Sequence, residues 1–178
     1  MKKCIFTNIE ILKYTILLGI VASFSHFAYQ LSGRNIIVGL FNPVNESVWE
    51  HLKFMFFPFL IWWIIIYKIK SQRCKTPLNI WITSSAISLI VAPLSVVLFF
   101  YANTGSLGIH SLISDILLVY ISYFIALSIV SHYLRYSKPN IWVAIISVIA
   151  IVIVIIIFIV FTFNPPNLPL FIDNSPMR

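Results

Sequence analysis

The run from Ile141 to Phe163 holds no charged residue and almost no polar one. A stretch of about 20 apolar residues is what an α-helix needs to cross the hydrocarbon core of a bilayer. Its richness in Val and Ile would favour strands in water. In lipid an isolated strand leaves its backbone N–H and C=O groups unsatisfied, so the run reads as a helix. Four more runs follow the same logic, at about 12–32, 48–67, 80–101 and 109–131. The chain is 60% hydrophobic and 10% charged, against roughly 25% charged residues in soluble domains. The expectation is one all-α membrane domain over residues 1–178, a five-helix transmembrane bundle with an extended tail at 164–178.

Breakers punctuate the runs where this scheme needs them. Ser32-Gly33 ends the first, and Asn42-Pro43-Val44-Asn45 precedes the second. Thr76-Pro77 suits the start of the third, with Thr as cap and Pro at the first helical position. Asn103 to Gly108 makes a short turn, and Lys138-Pro139-Asn140 opens the fifth helix. Pro58 and Pro93 fall inside helices. Met1 to Ser25 lacks a small-x-small cleavage site, so the first run is expected to stay as a span.

A net charge of +7 in a soluble protein would point to nucleic acid. Here position matters more than sum. Lys2, Lys3, Lys13, Lys68, Lys70, Arg73, Lys75, Arg135 and Lys138 fall on one side of the bundle, against Arg34, Lys53 and Arg178 on the other, nine to three. The positive-inside rule then puts the amino terminus in the cytoplasm and the carboxyl terminus outside. Trp62, Trp63, Tyr67, Trp81, Tyr136 and Trp142 read as interfacial anchors inside, and Tyr29, Trp49 and Tyr101 outside. Cys4 and Cys74 are too few for a disulfide framework, and on the cytoplasmic side they are expected to be reduced, incidental thiols.

Ionisable residues within membrane helices are costly and therefore tend to be functional. On this reading His26 and Asp115 lie roughly 10 Å below the outer surface, at 1.5 Å per helical residue. Glu50, His51 and His110 lie near the outer helix ends, and His132 is interfacial at the cytoplasmic end. Gly19, Ser23, His26 and Gln30 share one helix face. Ser111, Asp115, Ser122 and Ala126 share another, and Ser84, Ser88, Ala92 and Ser95 a third. Such small and polar stripes pack helix on helix, which turns His26 and Asp115 inward.

Two chemistries fit these residues. His26, His51, His110 and Asp115 suit a divalent metal such as Zn, with a vacant position for water. Alternatively, His26, Asp115 and Glu50 suit acid–base or proton-relay work without a metal. Each has a plainer counterpart. Ser47-Val48-Trp49-Glu50 is a capping box, His51 and His110 suit interfacial positions, and His26 with Asp115 suits an interhelical hydrogen bond. There is no HxxxH, HExxH, CxxC or GxSxG spacing and no phosphate loop. Glu46 and Glu50 stand four apart, a like-charge pair that Lys53 or Arg34 would neutralise, as would a metal or a cationic substrate held between them.

The segment Gly39-Leu40-Phe41-Asn42-Pro43-Val44-Asn45-Glu46-Ser47-Val48-Trp49-Glu50-His51-Leu52-Lys53 resembles the signature of an uncharacterised family of small bacterial multi-pass membrane proteins. Phe163-Asn164-Pro165-Pro166 and Pro169-Leu170-Phe171 are similar to that family's ending. The resemblance implies a bacterial source and a plasma-membrane location, and no activity. It marks Asn42, Asn45 and Glu46 as motif residues. The outer loop is expected to meet Asn164 to Pro169 as a lid.

Three functions follow as expectations. One is a hydrolase acting on a lipid or envelope substrate at the outer leaflet. Another is a small-solute or ion transporter or channel, which with five helices would need a homodimer. The third is a non-catalytic subunit or sensor. Lipid is the surrounding partner in each, and nucleic acid in none.

Overall fold

Thr7 and Glu10 start the first helix. The Thr7 hydroxyl accepts from the Glu10 amide at 3.2 Å, and the Glu10 carboxylate accepts from the Thr7 amide at 3.0 Å. This capping box sets α1 at Asn8–Ser25, earlier than the hydropathy run suggests, because it satisfies N–H groups the run alone leaves open. A computed structural model describes residues 4–109 and 111–173 of the chain. Two short helices follow α1: α2 at Ala28–Leu31 and α3 at Ile36–Phe41. The long helices α4 (Val48–Ser71), α5 (Leu78–Tyr101), α6 (Leu112–Tyr136) and α7 (Ile141–Phe163) complete the bundle. A π-helical turn at Ala102–Ser106 prolongs α5, and Pro169–Phe171 forms one 3-10 turn in the tail. No strand occurs among the described residues.

Five of these helices, α1, α4, α5, α6 and α7, are long and apolar enough to cross a membrane. The chain is thus built as a multi-pass membrane protein. Helix α5 packs against α4, α6 and α7, and α1 closes the bundle against α4 and α6. At Gly19 an added Cβ would lie 2.3 Å from the Tyr120 ring, so the glycine lets α1 and α6 approach closely. Ser84, Ser88, Ala92, Ser122 and Ala126 are buried, as the small stripes require. Helix α7 turns most of its surface outward, with only Ala144, Ser147 and Phe158 buried.

Interhelical hydrogen bonds supplement this packing. Trp63 donates to the Ser88 hydroxyl at 2.7 Å, and Tyr123 donates to the Met55 carbonyl at 3.0 Å. Such bonds contribute about 0.6 kcal/mol each on average in membrane bundles.

The basic-residue end of the bundle departs from the sequence reading in three ways. Trp62, Trp63 and Trp81 are buried rather than interfacial, packed with Phe6 and Tyr14 in one aromatic cluster. Lipid anchoring explains Trp142 and Tyr136, which are exposed, but not these three. Thr76 does not cap α5. Pro77 holds that position, while the Thr76 hydroxyl accepts from the Cys4 amide at 2.8 Å. Cys4 and Cys74 are not incidental either. They form a disulfide, with Cα atoms 5.4 Å apart, because the segment before α1 folds across the end of α4. Ser131 donates to the Phe6 carbonyl and Lys70 pairs with Glu10 at 2.5 Å, fixing that segment in place.

Candidate metal site at the mouth of a cavity in the helix bundle

The opposite end holds a cavity of about 1480 Å³. It opens among the C-terminal end of α1, the first turns of α4 and α6, the end of α5 and the tail. Ser23, His26, Glu46, His51, Ser111, Asp115 and Asp173 are on its wall, amid Phe27, Phe54, Met55, Val96 and Phe100.

His26, Glu46 and His51 converge there, their ligand atoms all within 4.8 Å of one another. His51 Nε2 lies 3.3 Å from one Glu46 carboxylate oxygen, and His26 Nε2 lies 3.9 Å from the other. The two rings stack with centroids 5.0 Å apart. Donor atoms around a tetrahedral zinc ion stand about 3.3 Å apart, so small side-chain rotations suffice to close the group on an ion. The three residues come from three segments: the residue after α1, the loop before α4 and the first turn of α4. This is why no compact ligand motif appears in the sequence.

The loop is held from within. The Asn45 side-chain oxygen Oδ1 accepts from the Ser47 amide at 3.0 Å, and the Asn42 side chain donates to the Val38 carbonyl at 3.1 Å. Glu46 sits just before the Ser47 N-cap, so its side chain leaves the helix and points at the histidines. Its own amide donates to Asp173 at 3.1 Å. His51 Nδ1 is 2.7 Å from the Ser47 carbonyl. A carbonyl oxygen only accepts, so Nδ1 carries a proton there, and Nε2 is the nitrogen that faces Glu46. His26 is the first residue beyond α1. Burial first, and the neighbouring His51 second, push its imidazole below the usual histidine range, while Glu46 acts in the other direction. Its neutral, ligating form is thereby favoured.

Glu50 takes another path. The Ser47 hydroxyl accepts from its amide at 3.3 Å, so half of the capping box forms. The reciprocal bond does not. The Glu50 carboxylate instead accepts from the Val44 amide at 3.0 Å and from Lys53 at 2.6 Å, buried and away from the cavity wall. Lys53 spends its remaining donors on the Gly39 carbonyl and the Thr162 hydroxyl, at 3.0 and 2.7 Å. The expected role of Glu50 beside the histidines is corrected accordingly: a buried carboxylate and a buried ammonium neutralise each other more readily than either stays alone. The expected like-charge pair is split too, Glu50 going to Lys53 and Glu46 to the histidines.

Asp115 lines the same cavity as His26, as its helix face implied, but outside the converging group of three. Helix α6 begins at Leu112, so Asp115 is in its first turn rather than two turns deep. With α1 ending at Ser25, His26 is likewise at the end of its span. His110 lies outside the described residues. The sequence pairs Glu46 with Glu50 around a cation, whereas the structure sets it beside the two histidines, and the sequence assigns Asp173 no role. The local signal for Glu46 is its place one residue ahead of an N-cap, whereas nothing local marks Asp173.

The tail touches this region further along than expected. Phe171 packs on Trp49 and Phe161, with ring centroids 4.9 and 5.4 Å apart, and Pro169, Ile172 and Asp173 complete the cavity wall. No curated protein and no solved structure matches the chain. Residues 1–177 match the Family of unknown function (DUF6512), and the chain belongs to that family.

Proposed function

We propose that this protein is a membrane-embedded metal-dependent hydrolase, with His26, Glu46 and His51 as ligands of a zinc-like divalent ion and a lipid or envelope molecule as substrate. The carrying observation is the convergence of these three donors on the wall of a cavity within the bundle. Two imidazoles and one carboxylate form a catalytic zinc donor set, leaving a position for water. The Ser47 carbonyl on His51 Nδ1 supplies the outer support that ligating histidines need.

The residues of this chain then have separate tasks. His26 and His51 offer ring nitrogens, and Glu46 supplies negative charge. Asp115, which lines the same cavity, would exchange a proton with a bound substrate or water in this reading. The largely apolar wall suits a substrate arriving from the bilayer. The excess of Lys and Arg at the Cys4–Cys74 end supports a cavity facing away from the cytosol, and a plasma-membrane location follows if the source is bacterial.

Elemental analysis of detergent-purified protein tests this reading. Wild type is expected to carry about one zinc-class ion per chain, and His51→Ala and His26→Ala little or none. Metal-free wild type after purification with added zinc, with monodisperse variants, would remove the proposal.

A further inference from the structure

Arg34 shares the cavity wall with the three donors. Its backbone is left-handed, at φ 62°, directly after Gly33 at φ 70°. A non-glycine residue in that region carries strain that the surroundings must sustain, and such residues cluster at ligand sites. Here the turn is held by the Arg34 amide donating to the Tyr29 carbonyl at 3.0 Å. Among the described residues no carboxylate lies within ion-pairing distance of the Arg34 guanidinium. The acids on the wall are otherwise engaged: Glu46 by the histidines, Asp173 by the Glu46 amide, and Asp115 by a contact of its own. The basic side chain nearby in sequence, Lys53, is buried and neutralised by Glu50.

Below this rim Phe27, Phe54, Met55, Val96 and Phe100 make an apolar wall. The volume exceeds the roughly 300–1,000 Å³ of pockets for ordinary small molecules. A guanidinium with no carboxylate partner among the described residues, on the wall of a largely apolar cavity, suits a molecule with an anionic head and a hydrocarbon body. We infer that the cavity takes an anionic amphiphile, such as a phosphate-bearing lipid, with the anionic group on Arg34 and the apolar body against the Phe54–Phe100 wall. This rests on the proposed site for its chemistry, naming its substrate class, but binding of the amphiphile requires no metal.

The test is lipid binding by purified full-length protein in a nonionic detergent, read by native mass spectrometry. The probes are phosphatidylglycerol and diacylglycerol, which lacks the phosphate, with identical acyl chains. Wild type is expected to bind phosphatidylglycerol about tenfold more tightly, what one charge-assisted hydrogen bond supplies. Arg34→Asn, a side chain that tolerates the left-handed backbone, is expected to bring the two lipids level. Arg73→Gln, in the basic loop at the other end, controls for general attraction to a cationic protein and is expected to keep the preference. Retained preference in a metal-free wild type would sink the metal reading and leave this one standing. Equal binding of the lipids by wild type, an unaltered preference in Arg34→Asn, or an equal loss in Arg73→Gln would overturn the inference. So would displacement of the lipid by an equal concentration of inorganic phosphate, which would assign the anion site to a soluble ligand.

Discussion

His51 and Glu46 stand on either side of the Ser47 N-cap, and their side chains meet with Nε2 and a carboxylate oxygen 3.3 Å apart. The same Ser47 whose hydroxyl caps α4 offers its carbonyl to the other nitrogen of His51. The start of one helix therefore provides two candidate ligands and the support for one of them. The third, His26, is brought in by the end of α1.

A ligand that binds only the folded state stabilises it by about 2.7 kcal/mol at a hundred times its dissociation constant. Added zinc is accordingly expected to raise the thermal midpoint of detergent-purified wild type, and a chelator to reverse the rise. In His51→Ala the midpoint is expected to be insensitive to zinc. An equal rise in the variant would locate binding elsewhere.

Lys53 and Glu50 are both nearly inaccessible, and each satisfies the other. Removing one partner of a buried pair leaves an uncompensated charge and typically costs about 3–5 kcal/mol. Lys53→Met is expected to lower the thermal midpoint sharply, and Lys53→Met with Glu50→Gln to recover much of it. A double variant no better than the single would mean that the bonds to Gly39 and Thr162 outweigh the ion pair.

The Cys4–Cys74 bond reports on orientation. If the basic end faces the cytosol, reducing conditions there keep such pairs open. Alkylation of intact cells is then expected to trap both thiols, and oxidation of isolated membranes to close the bond. A disulfide already complete before lysis would place that end in an oxidising compartment and reverse the proposed topology.

Asp173 and Phe171 bring the tail onto the loop and Trp49. Truncation after Phe163 removes both contacts without touching a proposed ligand. The expected outcome is unchanged metal stoichiometry with severalfold faster release to a chelator. Release at the wild-type rate would show that the tail does not restrain the site.

Composition and the length of the apolar runs dictate the solvent and, through it, the fold class. Apolar runs such as Ile141–Phe163 leave the backbone no option in lipid but helix, and helix faces carry the packing stripes, so Gly19, Ser84 and Ser122 were legible as interface residues. Hydropathy is silent about where a helix end is capped, which is why α1 begins at Asn8 and Asp115 falls in a first turn. Which polar groups meet depends instead on how the helices and loops pack. Glu46 and Glu50 are four apart and chemically identical, yet one leaves the helix before its cap toward two histidines and the other turns inward to Lys53. Cys4 and Cys74, far apart in the chain, join for the same reason. Periodicity fixes the direction of a side chain relative to its own helix, whereas partners are set by how several helices and loops lie against each other, and that depends on packing across the whole bundle.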